Sequence, residues 1–274
     1  MTGTKEFESF QRADDLWNFI KPDGTYLSEE WFKAVWRFYK GFAKVQRADG
    51  LLNFIKPDGT FLCEEWFRNV RHFKESFTVV QREDGKWNFV KHDGTIICEE
   101  WFKNAWHFLE GFAIVQREDG LWNFLKPDRT FLSEEWFKNV WNFSEGFAKV
   151  QREDGLWNFL KPDRTFLSEE WFKRGWNFSE GFAEVQREDG LWNFIKPDGT
   201  FLSTEWFEWT VTFSEGFAGV QREDGLWNFI KPDGTFLCEE WFRDVRHFKG
   251  SFAEVQREDG KWNFVKPEGT ILCE

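Results

Sequence analysis

The sequence is poor in the residues that build metal sites, disulfides and membrane spans. Its 274 residues include four Cys, four His, two Tyr and one Met. No CxxC or CxxH spacing is present, which argues against zinc, and we expect neither a metal nor a cofactor. No apolar run approaches the ~20 residues that span a bilayer. The first residues, MTGTKEFESF, lack the apolar segment of a secretory signal, so we expect a cytoplasmic protein.

Basic residues are too few for a protein that binds nucleic acid. Lys and Arg total 36 against 48 Asp and Glu, which gives a formal net charge of −12. Because phosphate recognition depends on clustered Lys and Arg, this balance argues against nucleic acid and anionic membranes as partners. Aromatic residues are abundant, by contrast, at 21% of the chain with 36 Phe and 19 Trp. Such a chain can bury a large core and is not disordered.

A single glutamine returns every 35 residues, at Gln11, Gln46, Gln81, Gln116, Gln151, Gln186, Gln221 and Gln256. Most of its neighbours return with it, and a typical unit is EGFAKVQREDGLWNFLKPDRTFLSEEWFKNVWNFS, residues 145–179. A period of this length is typical of small units that stack and bury one another's faces. We therefore predict one domain, residues 1–274, built as an array of eight repeats with approximate units 6–40, 41–75, 76–110, 111–145, 146–180, 181–215, 216–250 and 251–274.

Most of each unit has the alternation of apolar and polar residues that is typical of β-strands. The pattern is seen in GFAKVQR, residues 146–152, and again in LWNFL, residues 156–160. The Glu-Asp-Gly between them predicts a hairpin turn. A second turn, Lys-Pro-Asp-Gly-Thr at residues 196–200, leads into a short third strand at residues 200–202. The sequence therefore predicts a β-rich protein of eight three-stranded antiparallel meanders.

The connector between meanders changes period. In residues 133–146 the apolar positions are three and four apart, which predicts one stripe of a short helix. Ser133 would cap its start and Gly146 its end. The alternative is an extended connector whose aromatic side chains fill the core.

The sequence is compatible with two shapes of the array. Residues 61–99 resemble residues 236–274 better than they resemble adjacent units, so blocks of several units have been copied together. That history favours an open solenoid or superhelix, which can lengthen. The alternative is a closed propeller-like ring, which would need an extended connector to supply a fourth strand.

The repeat resembles the bacterial WG-repeat family, whose units pair an E-G-x-A-x-V strand with a G-x-W-G-x-I strand. The matched residues in one unit are Glu145, Gly146, Ala148, Val150, Gly155, Trp157 and Leu160. The chain differs in carrying Asn where the family has its second Gly, at Asn18, Asn53, Asn88, Asn123, Asn158, Asn193, Asn228 and Asn263. The resemblance covers all eight units and implies a non-enzymatic β-repeat, without implying a mechanism.

No set of residues predicts catalysis or metal binding. Nothing in the sequence resembles a nucleophile with its base, a phosphate loop or a metal triad, so we expect no enzyme. The acidic turns lack the alternating ligands of a calcium loop. The cysteines share one position of the repeat with serines, which favours free thiols, at Cys63, Cys98, Cys238 and Cys273.

Three sets of tryptophans recur. The strand set, which includes Trp157, and the connector set, which includes Trp136, are predicted to be core. A third position, here called the variable aromatic position, alternates between Trp and Arg, and we therefore expect it not to be deeply buried; its residues are Trp36, Arg71, Trp106, Trp141, Trp176, Val211 and Arg246. Trp and Arg are enriched at binding hot spots. The candidate binding residues are Trp36, Trp106, Trp141, Trp176, Arg71 and Arg246, with partial burial at the core edge as the alternative.

Two further positions vary while the rest of the repeat holds, and we expect both to face outward. The variable strand position precedes the strand valine, at Lys44, Val79, Ile114, Lys149, Glu184, Gly219 and Glu254. The neighbouring variable position follows the variable aromatic position, at Arg37, His72, His107, Asn142, Asn177, Thr212 and His247.

The sequence thus predicts a non-catalytic scaffold that binds a protein partner multivalently. One alternative is a carbohydrate- or choline-type module that stacks its ligand on Trp. Another is an element that assembles with copies of itself.

Overall fold

The computed structural model describes residues 7–272, and all of its regular structure is β. No helix occurs within that range. The strands are β1 (Glu8–Gln11), β2 (Trp17–Ile20), β3 (Ala34–Val35), β4 (Ala43–Gln46), β5 (Leu52–Ile55), β6 (Asn69–Val70), β7 (Phe77–Gln81), β8 (Trp87–Lys91), β9 (Asn104–Ala105), β10 (Ala113–Gln116), β11 (Trp122–Leu125), β12 (Asn139–Ser144), β13 (Phe147–Gln151), β14 (Trp157–Leu160), β15 (Arg174–Gly175), β16 (Ala183–Gln186), β17 (Trp192–Ile195), β18 (Trp209–Ser214), β19 (Phe217–Gln221), β20 (Trp227–Ile230), β21 (Asp244–Val245), β22 (Ala253–Gln256), β23 (Trp262–Val265) and β24 (Ile271–Leu272).

These strands form separate small antiparallel sheets, one for each repeat. Most have three strands, as in β15-β16-β17; the first has two, and the last, β21-β22-β23-β24, has four. By its backbone contacts the chain divides into two compact units, Met1–Phe131 and Leu132–Glu274, and each unit holds four of the sheets. The repeated β-architecture is therefore confirmed. Its description as a single array of eight units stays a prediction.

The predicted hairpin is present in every sheet. Between β13 and β14 the register pairs Ala148 with Leu160 and Gln151 with Trp157. Gly155 has a φ of 93°, and the carboxylate of Asp154 accepts a hydrogen bond of 3.0 Å from the N–H of Leu156. The turn therefore depends on a left-handed glycine and an acidic side chain, which is the chemistry that the sequence carries.

The predicted third strand is mostly wrong. After the second turn the chain makes a single bridge to the preceding strand, as at Ile195 and Phe201, and a regular strand forms there only in the last sheet as β24. The third strand of the other sheets comes from the connector that precedes the hairpin, as β15 does for β16. At the second turn, Arg129 and Arg164 adopt φ angles of 76° and 79°, so both carry the left-handed strain expected of non-glycine residues.

The helical connector is also wrong, because the connector is extended and joins two sheets. Phe172 exchanges backbone hydrogen bonds of 2.7 and 2.8 Å with Trp157 of one sheet, and two residues later β15 pairs with β16 of the next. A 14-residue helix would leave these edges unpaired. Sheet pairing therefore outweighs the helical spacing of the apolar residues.

The residues that suggested helix caps serve in turns instead. The Ser133 hydroxyl accepts a hydrogen bond of 3.1 Å from the N–H of Glu135 in a local turn. Glu145 and Gly146 have φ angles of 51° and 84°. Two consecutive left-handed residues make a tight hairpin turn, which is a stronger constraint here than a helix terminus.

A buried asparagine joins the hairpin to its connector in six repeats. The side chain of Asn158 is fully buried, and its Nδ2 donates hydrogen bonds of 2.8 and 3.1 Å to the carbonyl oxygens of Ser168 and Glu170. Its Oδ1 accepts 2.7 Å from the N–H of Phe159. The same two-donor arrangement is present at Asn18, Asn53, Asn88, Asn193 and Asn228.

The core lies between successive sheets within a unit. One cluster combines Phe194 of β17 with Phe213, Val220 and Ile230 of the following sheet. Phenylalanines also stack across these boundaries, as Phe182 does on Phe213 at 4.3 Å between ring centroids. Since each sheet buries its faces against neighbours, adjacent repeats stabilise one another.

Candidate interaction surface

The variable aromatic position follows the first short strand of a sheet and lies beside the variable strand position. The N–H of Trp176 donates 2.9 Å to the carbonyl oxygen of Glu184, and Trp36 makes the same bond to Lys44. Val211 is paired with Gly219 across β18 and β19. Because side chains of paired residues share a face, the two variable positions form one local site in each sheet. In the sequence both positions vary from repeat to repeat while their surroundings stay constant.

The four tryptophans at the variable aromatic position are exposed. The exposed fraction is 38% for Trp36, 56% for Trp106, 41% for Trp141 and 55% for Trp176. Arg246 is also exposed and Arg71 is half-buried. This exposure agrees with the prediction that the position is not deeply buried. A role in binding stays a prediction for all six residues.

The variable strand position does not face outward, so this prediction is wrong. Val79 is fully buried, and Ile114, Lys149 and Glu184 are only 8%, 9% and 7% exposed. Their side chains lie between sheets and contact the next repeat: the Nζ of Lys149 donates to the carbonyl oxygen of Gly175 at 3.1 Å. The Glu184 carboxylate likewise accepts a hydrogen bond from Thr210 of the next sheet, whereas Lys44 and Glu254 are half-buried.

The arginines that replace Trp lie on the strand tryptophan of their own sheet. The guanidinium carbon of Arg71 is 4.5 Å from the ring centroid of Trp87, and that of Arg246 is 4.5 Å from Trp262. Arg71 also donates 3.2 Å to the carbonyl oxygen of Ala105 in the next sheet. These cations therefore contribute packing over an indole face in addition to charge.

Lys149 lies in a cage of three indoles. Its Nζ is 4.4 Å from the ring centroid of Trp141, 4.7 Å from Trp157 and 5.9 Å from Trp176. Burial lowers the pKa of this ammonium from its usual value. The negative faces of the rings compensate part of the lost hydration, which is the physical basis of aromatic recognition of cations.

The neighbouring variable position is mostly exposed, and one stretch of it is basic. His107 is half-buried, and its pKa is lowered by burial and by the charges of Arg71, Lys74 and His72. This basic cluster lies in a protein whose net charge is −12. The local charge beside the exposed tryptophans therefore changes from sheet to sheet.

Sequence reasoning missed Trp209. It is 54% exposed on β18, at a position where other repeats carry Ala34, Asn69, Asn104, Asn139, Arg174 or Asp244. It is the one tryptophan that belongs to none of the three recurring sets, and this departure was the signal available in the sequence. Its ring centroid lies 6.2 Å from that of the buried Trp192.

The strand and connector tryptophans form the edge of the core, not its centre. Trp192 is 4% exposed, but Trp157 and the connector tryptophans Trp171 and Trp206 are half-buried. Arginines cover six connector indoles, as Arg187 does at 4.1 Å from the ring centroid of Trp206.

The three described cysteines are free and half-buried. Burial raises the pKa of the Cys63 and Cys98 thiols to about 11. Cys273 lies outside the described residues. Across residues 7–272 no group of three or more His, Cys, Asp or Glu side chains is placed to hold a metal ion. In the same range no helix has the length and apolar character to cross a membrane.

Comparison with known families identifies one repeat directly. Residues 137–157 match the family model described as a WG containing repeat. The resemblance to WG repeats is thereby confirmed. The matched segment ends at the strand residue Trp157, and the next residue is the buried Asn158, whose amide makes three hydrogen bonds.

No curated protein sequence matches the chain. Among solved structures, it is similar to the computationally designed Ika8 protein, with a TM-score of 0.33 and 13% identity over 97% of this chain and 94% of that one. It is also similar to BamB from Moraxella catarrhalis, with a TM-score of 0.33 and 12% identity over 98% and 87%. For the C-terminal WD40 domain of Sif2 the TM-score is 0.31, with 10% identity over 84% and 79%. Similarities this low support no conclusion about the shape or function of this chain.

Proposed function

We propose that the chain is a non-catalytic repeat scaffold that binds a protein partner through the variable aromatic position. The supporting observation is that indoles recur there in an exposed state, with Trp106 and Trp176 both more than half accessible. Large rigid aromatic side chains supply contact area at low entropic cost and dominate many protein interfaces. Their recurrence in successive sheets suits a multivalent contact.

The test compares two triple variants of the full chain. Replacing Trp106, Trp141 and Trp176 by Ser should abolish specific capture of a partner while the far-ultraviolet circular dichroism stays unchanged. The control replaces Lys103, Lys138 and Lys173 by Ser; these exposed residues lie in the same connectors and should leave capture intact. Full capture by the tryptophan variant would place the binding surface elsewhere, with the acidic hairpin turns as the next candidate.

The same exposed indoles could stack on sugar rings, which keeps a carbohydrate-binding module as the alternative. Glycan-array binding accompanied by quenching of tryptophan fluorescence would favour it over a protein partner. If the chain bound no sugar on the array, the carbohydrate-binding module would be excluded.

Self-association is a further alternative, since successive sheets of the chain bury their faces against one another, as Phe182 and Phe213 do at 4.3 Å. Light scattering should then show an average mass that rises with concentration, and a constant mass would exclude it.

A further inference from the structure

Lys149 and Glu184 occupy the same position in successive sheets and carry opposite charges. Both lie in the central strand of their sheet, and both are more than nine-tenths buried. The residue beside each on the neighbouring strand is an exposed tryptophan, Trp141 for Lys149 and Trp176 for Glu184. The two sites therefore share a central charged residue beside an exposed indole, while on the following sheet Val211 and Thr210 stand where Trp176 and Gly175 contact Lys149.

The Lys149 site shows how this architecture holds an ammonium group. The Nζ lies against three indoles at 4.4, 4.7 and 5.9 Å and donates to the carbonyl oxygen of Gly175 at 3.1 Å. Both kinds of contact favour a primary ammonium, since the rings attract its charge and the carbonyl oxygen accepts one of its protons. In this sheet the chain supplies the cation itself.

The Glu184 site holds a buried carboxylate without a cation. Its Oε2 accepts a hydrogen bond of 2.8 Å from the Thr210 hydroxyl, and its Oε1 accepts one from Thr212. Within residues 7–272 no Lys, Arg or His nitrogen forms an ion pair with it. Burying a charge without a counter-charge is costly, and hydroxyl donors offset only part of that cost.

Glu254, at the same position two sheets further on, has the counter-charge that Glu184 lacks. It forms an ion pair with Arg246, which occupies the variable aromatic position of its sheet. In the Glu184 sheet that position is Trp176, which carries no charge. The counter-ion is therefore missing at Glu184 because an indole stands where the cation would be.

Two exposed indoles belong to the surroundings of this carboxylate. Trp176 is joined to Glu184 by a backbone hydrogen bond. The Trp209 ring lies 6.2 Å from that of Trp192, which is the equivalent of Trp157 in the Lys149 cage. Trp176 and Trp209 are 55% and 54% exposed. The Thr212 side chain that covers Oε1 is exposed, so rotation of its hydroxyl can free that oxygen.

We propose that Glu184, Trp176 and Trp209 form a binding site for a primary ammonium group, supplied by a lysine side chain of a protein partner. The indole faces attract the cation, the carboxylate neutralises it, and the lysine stem lies along the rings. Lys149 is the internal example of the bound state. This assignment rests on the proposed function, because it names the chemical group by which a partner is recognised at the exposed tryptophans.

The test is a titration of the full chain that needs no partner protein. Nα-acetyl-lysine methylamide is added while the indole N–H resonances of the 15N-labelled chain are recorded. We expect saturable shifts at Trp176 and Trp209, and none with the uncharged norleucine analogue. Glu184→Gln should weaken the binding at least tenfold, whereas the matched Glu254→Gln should leave it unchanged.

Glu184→Lys provides the complementary test. It should fill the site with an ammonium of the chain itself, as Lys149 does, and abolish binding without lowering the melting temperature. Absence of shifts in the wild-type chain, or equal binding by Glu184→Gln, would overturn the assignment. Choline binding as tightly as the lysine derivative would also overturn it, in favour of a quaternary ammonium ligand. If the titration fails but the triple tryptophan variant still loses its partner, the proposed function stands without this site.

Discussion

Trp192 lies against Trp209, with ring centroids 6.2 Å apart and the planes tilted by 55°. Trp192 is almost fully buried, whereas Trp209 is more than half exposed. The Nε1–H of Trp192 is buried without a hydrogen-bond acceptor. The inner indole therefore contributes through apolar packing, and the outer one is available for contact.

Removing the inner indole should cost much more stability than removing the outer one. Trp192→Ala should lower the free energy of unfolding by ~3–5 kcal/mol, since a large buried aromatic is lost. Trp209→Asn, which introduces the residue of three other repeats, should cost less than ~1 kcal/mol. Trp192→Leu should lie between them, because Leu52 fills this position in another sheet. Urea unfolding curves measure all three, and equal losses at Trp192 and Trp209 would contradict the assignment of inner and outer roles.

The buried asparagine should tolerate almost no change of hydrogen-bonding character. Asn158→Asp keeps the shape but replaces the NH2 donors by an oxygen that faces the carbonyl oxygens of Ser168 and Glu170. We expect a loss of ~3–5 kcal/mol in the free energy of unfolding, the range for a buried charge without compensation. Asn142→Asp, at an exposed site of the same sheet, is the control and should change stability by less than ~0.5 kcal/mol. Similar losses in the two variants would mean that the buried bonds contribute little.

The sequence predicted the parts of the fold that local chemistry determines. The hairpin at Gly155 follows from an acidic pair and a glycine, and the repeat follows from the 35-residue period. The connector could not be predicted in this way. Its apolar residues are three and four apart because Phe172 faces one sheet and Gly175 the next, and a helix would place the same residues on one stripe. Only the hydrogen bonds to partner strands distinguish an extended connector from a helix.

The sequence also predicted only part of the candidate surface. Alternation between Trp and Arg identified an accessible position, because neither residue is readily buried alone. Variation at Lys149 and Glu184 predicts exposure, yet both side chains are buried against the following sheet. A position that varies between repeats can therefore be exposed to solvent, or it can be buried against residues that vary with the repeat. Glu184 is of the second kind, because Thr210 and Thr212 donate hydrogen bonds to its carboxylate.

The radius of gyration decides between the open array that the sequence predicts and a closed ring. A compact chain of this length should have a radius of gyration of about 19 Å. We expect small-angle scattering to give a clearly larger value for an open array. The extended connector satisfies the local condition for a ring, so a value near the compact limit would favour the ring.

The half-buried thiols should react slowly in the folded chain. Because burial raises the pKa of Cys63 and Cys98 to about 11, only ~0.1% of each is thiolate at pH 8. Iodoacetamide should therefore modify both sites at least ~100-fold more slowly in the folded chain than in urea. Peptide mass spectrometry reports each site separately. Rates equal to those in urea would show that this position is open to solvent.

His107 should make the folded chain less stable in mild acid. Its pKa is lowered by burial first and then by Arg71, Lys74 and His72, so the folded state favours the neutral ring. A lowered pKa means that the stabilising contribution is present above the unfolded value of ~6.5 and is lost as pH falls through the folded value. His107→Asn, which introduces the residue found at Asn142 and Asn177, removes the titration. The difference in free energy of unfolding between the wild-type chain and this variant should be constant above about pH 7 and shift against the wild type below ~6.5. Parallel pH profiles would show that the ring is solvated and that the basic cluster does not act on it.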